Sequence, residues 1–358
     1  MQKAIALLDL DYFYAQCEQL RKPEIKNKPV VIVMPSLREN LGAIATANYF
    51  ARDQKIKSGM SLQLAKKLAS KETIFINADK EYYKELSSKV FEIVDFFCSK
   101  VEQVSIDEAY FDLTSPLGFE KAEDTCIKIK EKIKRELGLT CSIGLSTNKL
   151  LAKLASNEKK PDGLFILRKG IEKFLEKKKI RDLFGVGVKF EKIFKSNGVN
   201  KIRDIKNFKK EDLVEWFGKA KGEDFYNFAF GIDERNVEPN REKQQVSRMI
   251  TLRSDSRDFE NMFEQIKLLS DLVFNEASKT HKRFKTASLV IVNSNYDNIT
   301  KSKTKTEINS LKKLIEVEKA LLHEFLDESL SKVRRVGVRV SNFEEGKGTQ
   351  KTLFEFKG

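Results

Sequence analysis

Apolar residues fall in short blocks whose spacing switches between two and three-to-four along the chain, which predicts an alternation of strands and helices. Residues 3 to 10 read as a buried strand, followed by a helix from Tyr12 to Leu20 with Asp11 as its expected N-cap. Pro29 to Met34 is a second apolar strand. The small-residue run from Gly42 to Arg52 and a helix from Ser61 to Ala69, with Leu62, Leu64, Ala65 and Leu68 on one face, form a small insert. Tyr83, Leu86, Val90, Ile93, Val94 and Phe97 mark a helix over Lys80 to Cys98, and strands Val101 to Ser105 and Ala109 to Leu113 flank Ile106-Asp107-Glu108. A helix from Ala122 to Leu137, a strand from Thr140 to Leu145 and a helix from Ser146 to near Pro161 complete the order of a split βαβ sheet.

Residues 167 to 231 read as small Lys-rich helices, with Leu183-Phe184-Gly185-Val186-Gly187 between two of them. The polar stretch from Gly231 to Val246 lacks apolar periodicity and reads as a linker. A last α+β segment follows, with strands near Ser247 to Leu252, Thr286 to Asn293 and Arg334 to Val340, and helices near 258 to 280 and 310 to 326. The tail from Phe343 onward is expected to be flexible.

At 358 residues, the chain exceeds what one core organises, so roughly two to four domains are expected. No run of about 18 apolar residues could span a bilayer, and the N-terminus meets Asp9 too early for a signal peptide, so a cytoplasmic, nucleoid-associated protein is expected. Cys17, Cys98, Cys126 and Cys141 are scattered, without metal spacing, and read as buried free thiols. The net charge of +14 suits a polyanionic partner, although a Lys-rich composition alone would produce it.

Asp9 ends the first strand, while Asp107 and Glu108 lie between two later ones, where acids can converge across a sheet. Such oxygen donors suit magnesium. In a straight strand Asp107 and Glu108 would face opposite sides, so they can share one site only if the chain turns there. From spacing alone, solvated strand-end acids remain an open reading.

Four strings in order carry more: Asp9-Leu10-Asp11-Tyr12-Phe13-Tyr14-Ala15, Ala45-Thr46-Ala47-Asn48-Tyr49-Phe50-Ala51-Arg52, Ser105-Ile106-Asp107-Glu108-Ala109-Tyr110, and Ser142 to Lys149 with Lys160-Pro161-Asp162-Gly163. Together they resemble the signature set of the Y-family, translesion DNA polymerases. The resemblance implies an α+β multidomain right hand: a ferredoxin-like palm (1 to 11 and 77 to 166), small fingers (12 to 76), a helical thumb with a helix-hairpin-helix (167 to 232), a linker (233 to 244) and an α+β little finger (245 to 342), followed by the tail (343 to 358). It implies Asp9, Asp107 and Glu108 as catalytic metal ligands, with the Leu10 carbonyl, for two magnesium ions per active site. Thr46, Tyr49, Arg52 and Lys160 match triphosphate contacts of the incoming dNTP, where cations stabilise developing charge. Tyr14 matches the steric gate against ribose, and Gly42, Ala43 and Ala45 match the small residues over the templating base.

Gly185 and Gly187 resemble a phosphate-approaching hairpin, and Arg248, Arg334, Arg335 and Arg339 resemble the little finger's grip on primer-template DNA. Gln350, Leu353 and Phe356 resemble the anchors of a sliding-clamp peptide, of PCNA or bacterial β type, with Lys357 departing from the doubled aromatic. No exonuclease carboxylate set is recognisable, so synthesis without proofreading, by a monomer, is expected. A nucleotidyl cyclase would need no basic final domain. A catalytically dead scaffold would be expected to lose at least one of the three acids.

Overall fold

The computed structural model describes residues 2–36, 38, 41–239, 242–304, 308 and 310–345. The chain divides into two units, Met1–Met34 with Ala43–Arg241, and Pro35–Gly42 with Glu242–Gly358.

The first unit begins with β1 (Ile5–Leu10), α1 (Phe13–Arg21), β2 (Val30–Met34), β3 (Ala43–Ala47), α2 (Tyr49–Asp53), α3 (Leu62–Leu68) and β4 (Ile74–Asn77). It continues with α4 (Lys80–Phe97), β5 (Val101–Gln103), β6 (Glu108–Asp112), α5 (Gly118–Leu137), β7 (Cys141–Ser146), α6 (Lys149–Ser156) and β8 (Leu164–Ile166). Five of these strands form a sheet in the order β5-β6-β1-β7-β8. The central strand β1 is antiparallel to both β6 and β7. Covered on both faces, it is buried almost throughout, which is why it reads as an unbroken apolar run.

The two faces of β1 have different destinations. Ala6, Leu8 and Leu10 join the main core with residues of α1, α4 and α5. Ile5 and Leu7 face the other way, into a small cluster with Tyr110, Ala152 of α6 and Val237. By the two-residue period Asp9 belongs to this second face. There α6 lies against β7 at Gly144, where a Cβ would stand 2.2 Å from the Ala152 carbonyl oxygen, so only glycine admits the helix that closely.

β3, β2 and β4 form a separate three-stranded sheet, β2 being antiparallel to β3 and parallel to β4. The register skips Ala45, the extra residue of a β-bulge, so Ile44 and Ala47 both reach the buried side. In α3, Leu62 and Ala65 are buried, but Leu64 and Leu68 are 46% and 40% exposed, so the expected four-residue apolar face is corrected to two. The strands β4 and β8 are short and were not read from the sequence.

The rest of this unit is helical: α7 (Ile171–Glu176), α8 (Val188–Ser196), α9 (Lys210–Phe217) and α10 (Lys219–Ala229), around Phe194, Phe225 and Phe228. The segment Leu183 to Gly187 follows a single 3-10 turn, Ile180–Asp182, rather than a full helix. The start of the supposed linker is tied down: the Leu150 amide donates to Asp233 (2.9 Å) and the Glu238 amide to Glu102 (2.8 Å), while Val237 is buried.

The second unit is built on β9 (Gln245–Ser256), α11 (Phe259–Ser278), β10 (Lys282–Asn293), β11 (Asn298–Thr304), α12 (Leu311–Glu328) and β12 (Val333–Glu345), with the sheet order β11-β10-β12-β9, all antiparallel. Val336, Val338 and Val340 point to the core under α11 and α12, and Phe343 pairs with Phe284 and packs on the same core, so the expectation of a flexible tail is corrected for residues 343–345, which end β12. The edge strand β11, Asn-Ile-Thr-Lys-Ser-Lys-Thr, is polar and was missed in the sequence. Among the described residues no helix is long and apolar enough to cross a membrane. All four cysteines are buried and free; burial pushes the Cys98 and Cys141 thiols up to about 12.

Candidate active site

Asp9 and Glu108 are cross-strand partners in the β1–β6 register, and Asp9 also stands opposite Ser142 of β7. Directly opposed positions project to one face, so both carboxylates look toward α6. The Lys153 ammonium meets them there, donating to Glu108 Oε2 at 2.6 Å and Asp9 Oδ2 at 3.2 Å. Lys160 reaches the other Asp9 oxygen. Burial raises the Glu108 carboxyl above its ordinary range by more than the neighbouring Lys153 charge lowers it. Burial would depress Lys153, but the Asp9 and Glu108 charges and hydrogen bonds more than offset this and hold it above the ordinary value.

The chain does turn before Glu108. The Val104 and Ser105 amides both donate to the Glu108 carbonyl, at 3.0 and 3.2 Å, so Asp107 lies in a bend outside the strand. The Asp107 carbonyl accepts the Leu10 amide at 2.8 Å, tying the bend to the end of β1. Its carboxylate accepts from Ser105 Oγ at 2.6 Å. Among the described residues no three His, Cys, Asp or Glu side chains are grouped closely enough to hold a metal ion. The donors still suit a hard cation: two opposed carboxylates already share one ammonium, and a third is one residue away.

Asp11 is corrected. The residue at the start of α1 is Tyr12, in the left-handed region at φ 35°, and no side chain caps the helix. Asp11 is only 1% exposed and accepts from Thr140 Oγ1 (3.0 Å), Ser142 Oγ (2.7 Å) and the Asp162 amide (2.8 Å). A buried carboxylate needs donors, and here they come from Thr140 just before β7, Ser142 on β7 and the loop after α6 rather than from its own helix.

Tyr14 stacks on Tyr83, with centroids 4.5 Å apart, and the buried Tyr83 hydroxyl donates to Glu18 at 2.8 Å. Burial and then the Asp107 charge raise the Tyr14 hydroxyl's pKa. Tyr49 opens α2 and meets Tyr12 edge-on at 5.3 Å; burial, then the nearby Asp11, raises its pKa. The Arg52 guanidinium lies over the Tyr49 ring at 5.0 Å and donates Nε to the Ala47 carbonyl at 2.8 Å. Thr46 is half-buried on β3 opposite Ile32, Gly42 precedes that strand, and Ala43 and Ala45 lie on it.

Asn48, Lys153 and Tyr83 were missed as site residues. Asn48 accepts from the Val30 and Ala51 amides and donates to the Lys28 carbonyl, fixing the start of the helix that carries Tyr49 and Arg52. A readable signal for Lys153 existed: Lys149 and Lys153 are one turn apart on an otherwise apolar helix, and Lys149 is itself buried in an ion pair with Glu102 at 2.6 Å.

Farther along the chain, Gly185 is at φ 85°, and Gly187 starts α8 with open space where a Cβ would stand. Arg335 and Arg339 flank Gly337 on the sheet face away from α11 and α12, since Val336 and Val338 point inward. Arg248 lies within β9 opposite inward-pointing Val338, so it falls on the core-facing side rather than with Arg335 and Arg339, though exposed at the edge. Arg334 is engaged, 3.6 Å from Asp255 and over the Tyr296 ring at 4.8 Å. Gln350, Leu353 and Phe356 lie outside the described residues.

Residues 8–157 match the impB/mucB/samB family, residues 243–353 its C-terminal domain, and residues 181–233 the DNA polymerase-iota thumb domain. The DNA polymerase IV of Nitrosopumilus maritimus is 39% identical over 348 residues, covering 95% of this chain and 96% of that one. That of Methanosarcina acetivorans is 35% identical, covering 99% and 100%. Among solved structures, a Y-family DNA polymerase chimera superimposes with a TM-score of 0.89 at 29% identity, covering 96% of this chain and all of that one. The DinB protein of Sulfolobus solfataricus gives 0.66 at 29% identity, covering 95% and 99%. With paired acids at the end of a split sheet and matches over nearly its whole length, the chain belongs to the Y family of DNA polymerases, of the DNA polymerase IV (DinB) type, and is a DNA-directed DNA polymerase.

Proposed function

We propose that the chain carries out low-fidelity translesion synthesis, transferring nucleotides from dNTPs to a primer 3′-hydroxyl without proofreading. The observation that carries this is the convergence of Asp9 and Glu108 on one ammonium at the end of the central strands, with Asp107 in the adjoining bend. When bound, two magnesium ions would lower the pKa of the primer hydroxyl and offset charge on the leaving pyrophosphate. Asp9, Asp107, Glu108 and the Leu10 carbonyl would hold them, with Asp107 turning away from Ser105. Lys153 keeps Asp9 and Glu108 together by offsetting the repulsion of two neighbouring carboxylates.

Lys160, Arg52, Tyr49 and Thr46 would meet the triphosphate, and the Tyr14 ring, backed by Tyr83, would fill the space of a ribose 2′-hydroxyl. Gly42, Ala43 and Ala45 would leave room over a damaged template base. The proposed division of the chain is palm at 1 to 11 and 77 to 166, fingers at 12 to 76, thumb at 167 to 232 and little finger at 245 to 342. The hairpin backbone at Gly185 and Gly187, where no side chain would block close approach, and the Arg335/Arg339 face would bind primer-template backbone, joined by Arg248 at the strand edge. The sequence from Gln350 onward would engage a sliding clamp; its deletion should remove clamp stimulation and leave basal synthesis intact.

The deciding assay is single-nucleotide incorporation on primed DNA with each of the four template bases. Incorporation that follows the template, requires magnesium and persists opposite an abasic site supports the reading. Nucleotide turnover that ignores the template contradicts it.

A further inference from the structure

We propose that Asp11 and Asp162 form a latch that fixes Lys160, so that nucleotide affinity depends on two carboxylates that touch no substrate. The inference rests on Lys160 meeting the triphosphate.

The loop from Lys160 to Gly163 is held from two sides. On one, Asp11, just after β1, accepts the Asp162 amide at 2.8 Å, while the Thr140 and Ser142 hydroxyls also donate to it. Asp11 is therefore fixed to β7 and β1 at once. On the other side, the Asp162 carboxylate accepts from Lys130 at 2.8 Å and Lys134 at 2.7 Å, one turn apart on α5. The backbone between is tightly folded: Asp162 is at φ 53°, and a Cβ at Gly163 would stand 1.9 Å from the Lys159 carbonyl oxygen.

A lysine head group on a four-carbon stem is a mobile cation. Its placement at a phosphate depends on where its Cα is held, and a displacement of about 1 Å at a positioning element can cost up to about a hundredfold. Here the Cα precedes a segment anchored to β1 by an amide and to α5 by a side chain, and the ammonium lands beside Asp9. Without the latch, Lys160 would remain in the site but lose its fixed origin.

Asp11 and Asp162 are thus positioning residues, and the test is steady-state single-nucleotide incorporation with the full chain, primed DNA and magnesium. Lys160→Met should raise the KM for dNTP by about tenfold or more. Asp162→Asn, Asp11→Asn and the double Lys130→Met/Lys134→Met variant should each raise it several-fold to about tenfold, with primer-template Kd unchanged. Asp162→Asn added to Lys160→Met should cost nothing further, because both act through one ammonium. Should the variant of the buried Asp11 fail to fold, the Asp162, Lys130 and Lys134 side chains are at least partly exposed, and their variants keep the test open. Unchanged KM in the Asp162 and Lys130/Lys134 variants, or full additivity with Lys160→Met, would overturn the latch. An unchanged KM in Lys160→Met itself would instead remove the triphosphate reading, and the latch with it.

Discussion

In the five-stranded sheet the polar residues of interest stand at strand ends: Asp9 and Glu108 are opposed at one edge of the β1–β6 ladder, with Asp11 beside them. In the four-stranded sheet of the second unit they lie along a face, where Arg335 and Arg339 flank Gly337 on a strand whose other side is a valine row. Strand ends concentrate charge in a small volume, where each group needs a partner; Lys153, Lys160, Thr140 and Ser142 supply them. A sheet face spreads charge over a length that suits a polyanion and leaves it solvated. Buried polar groups follow the same division. Lys149 and Glu102 are buried as a pair in the first unit, whereas Glu318 lies within the second unit's core with neither oxygen bonded among the described residues.

The largest effect should come from the strand ends. Asp107→Ala should reduce primer extension by about a thousandfold or more, while primer-template affinity stays within a few fold, because phosphate contacts elsewhere supply most of the binding. Quench-flow extension and fluorescence anisotropy measure the two terms. Comparable losses in both would erase the division between the regions.

The next effect separates chemistry from selection within the first unit. A pocket rejects an added hydroxyl by only about a hundredfold without a steric clash. Tyr14→Ala should therefore raise ribonucleotide incorporation relative to deoxynucleotide by about a hundredfold or more. The readout is kcat/KM for matched pairs, and an unchanged ratio would make Tyr14 only a packing partner of Tyr83.

On the sheet face the expected change is about tenfold. Arg335→Ala with Arg339→Ala should weaken DNA binding and flatten the slope of log affinity against log salt by about 1.8, which is about 0.9 for each phosphate no longer neutralised. A parallel salt dependence would show that these guanidiniums do not meet phosphate.

The smallest effect concerns Glu318. Burial raises its carboxyl well above the ordinary range, with no charged neighbour contributing among the described residues. It is protonated in the folded state at pH values where the unfolded chain ionises. Stability from this group is therefore full below the ordinary carboxylate range and falls as pH rises toward the raised folded value. Glu318→Met should stabilise the chain at neutral pH by about 1–3 kcal/mol and remove that part of the pH slope. Thermal melts from pH 4 to 8 check this; a variant that melts lower at pH 7 would show that Glu318 has a partner after all.

Much of the fold was readable because buried elements write a strong pattern. β1 and β7 are apolar runs, and the residues from Tyr83 to Val94 keep helical spacing on α4. The elements that escaped are short or polar: β3, β4 and β8 span only three to five residues, and β11 carries a single apolar residue, so none shows a period. Asp9, Asp107 and Glu108 were readable as candidates, but only the register shows that Asp9 and Glu108 are opposed. Asp11 was misread because Asp before a helix ordinarily caps it. Its actual partners are more than 120 positions away in sequence, at Thr140, Ser142 and Asp162, and no local rule reaches that far. The bulge at Ala45 is a feature of pairing rather than composition, and so was equally silent.

The most direct test of the division between strand-end chemistry and face-on binding is a pair of variants measured side by side. Glu108→Gln and Arg335→Ala/Arg339→Ala should each be assayed for the single-turnover extension rate at saturating DNA and for primer-template Kd. The expected result is a double dissociation: the acid variant loses about a thousandfold in rate with Kd within a few fold, and the arginine variant keeps its saturated rate with Kd raised about tenfold. A Glu108→Gln enzyme that extends primers near the wild-type rate would contradict the account.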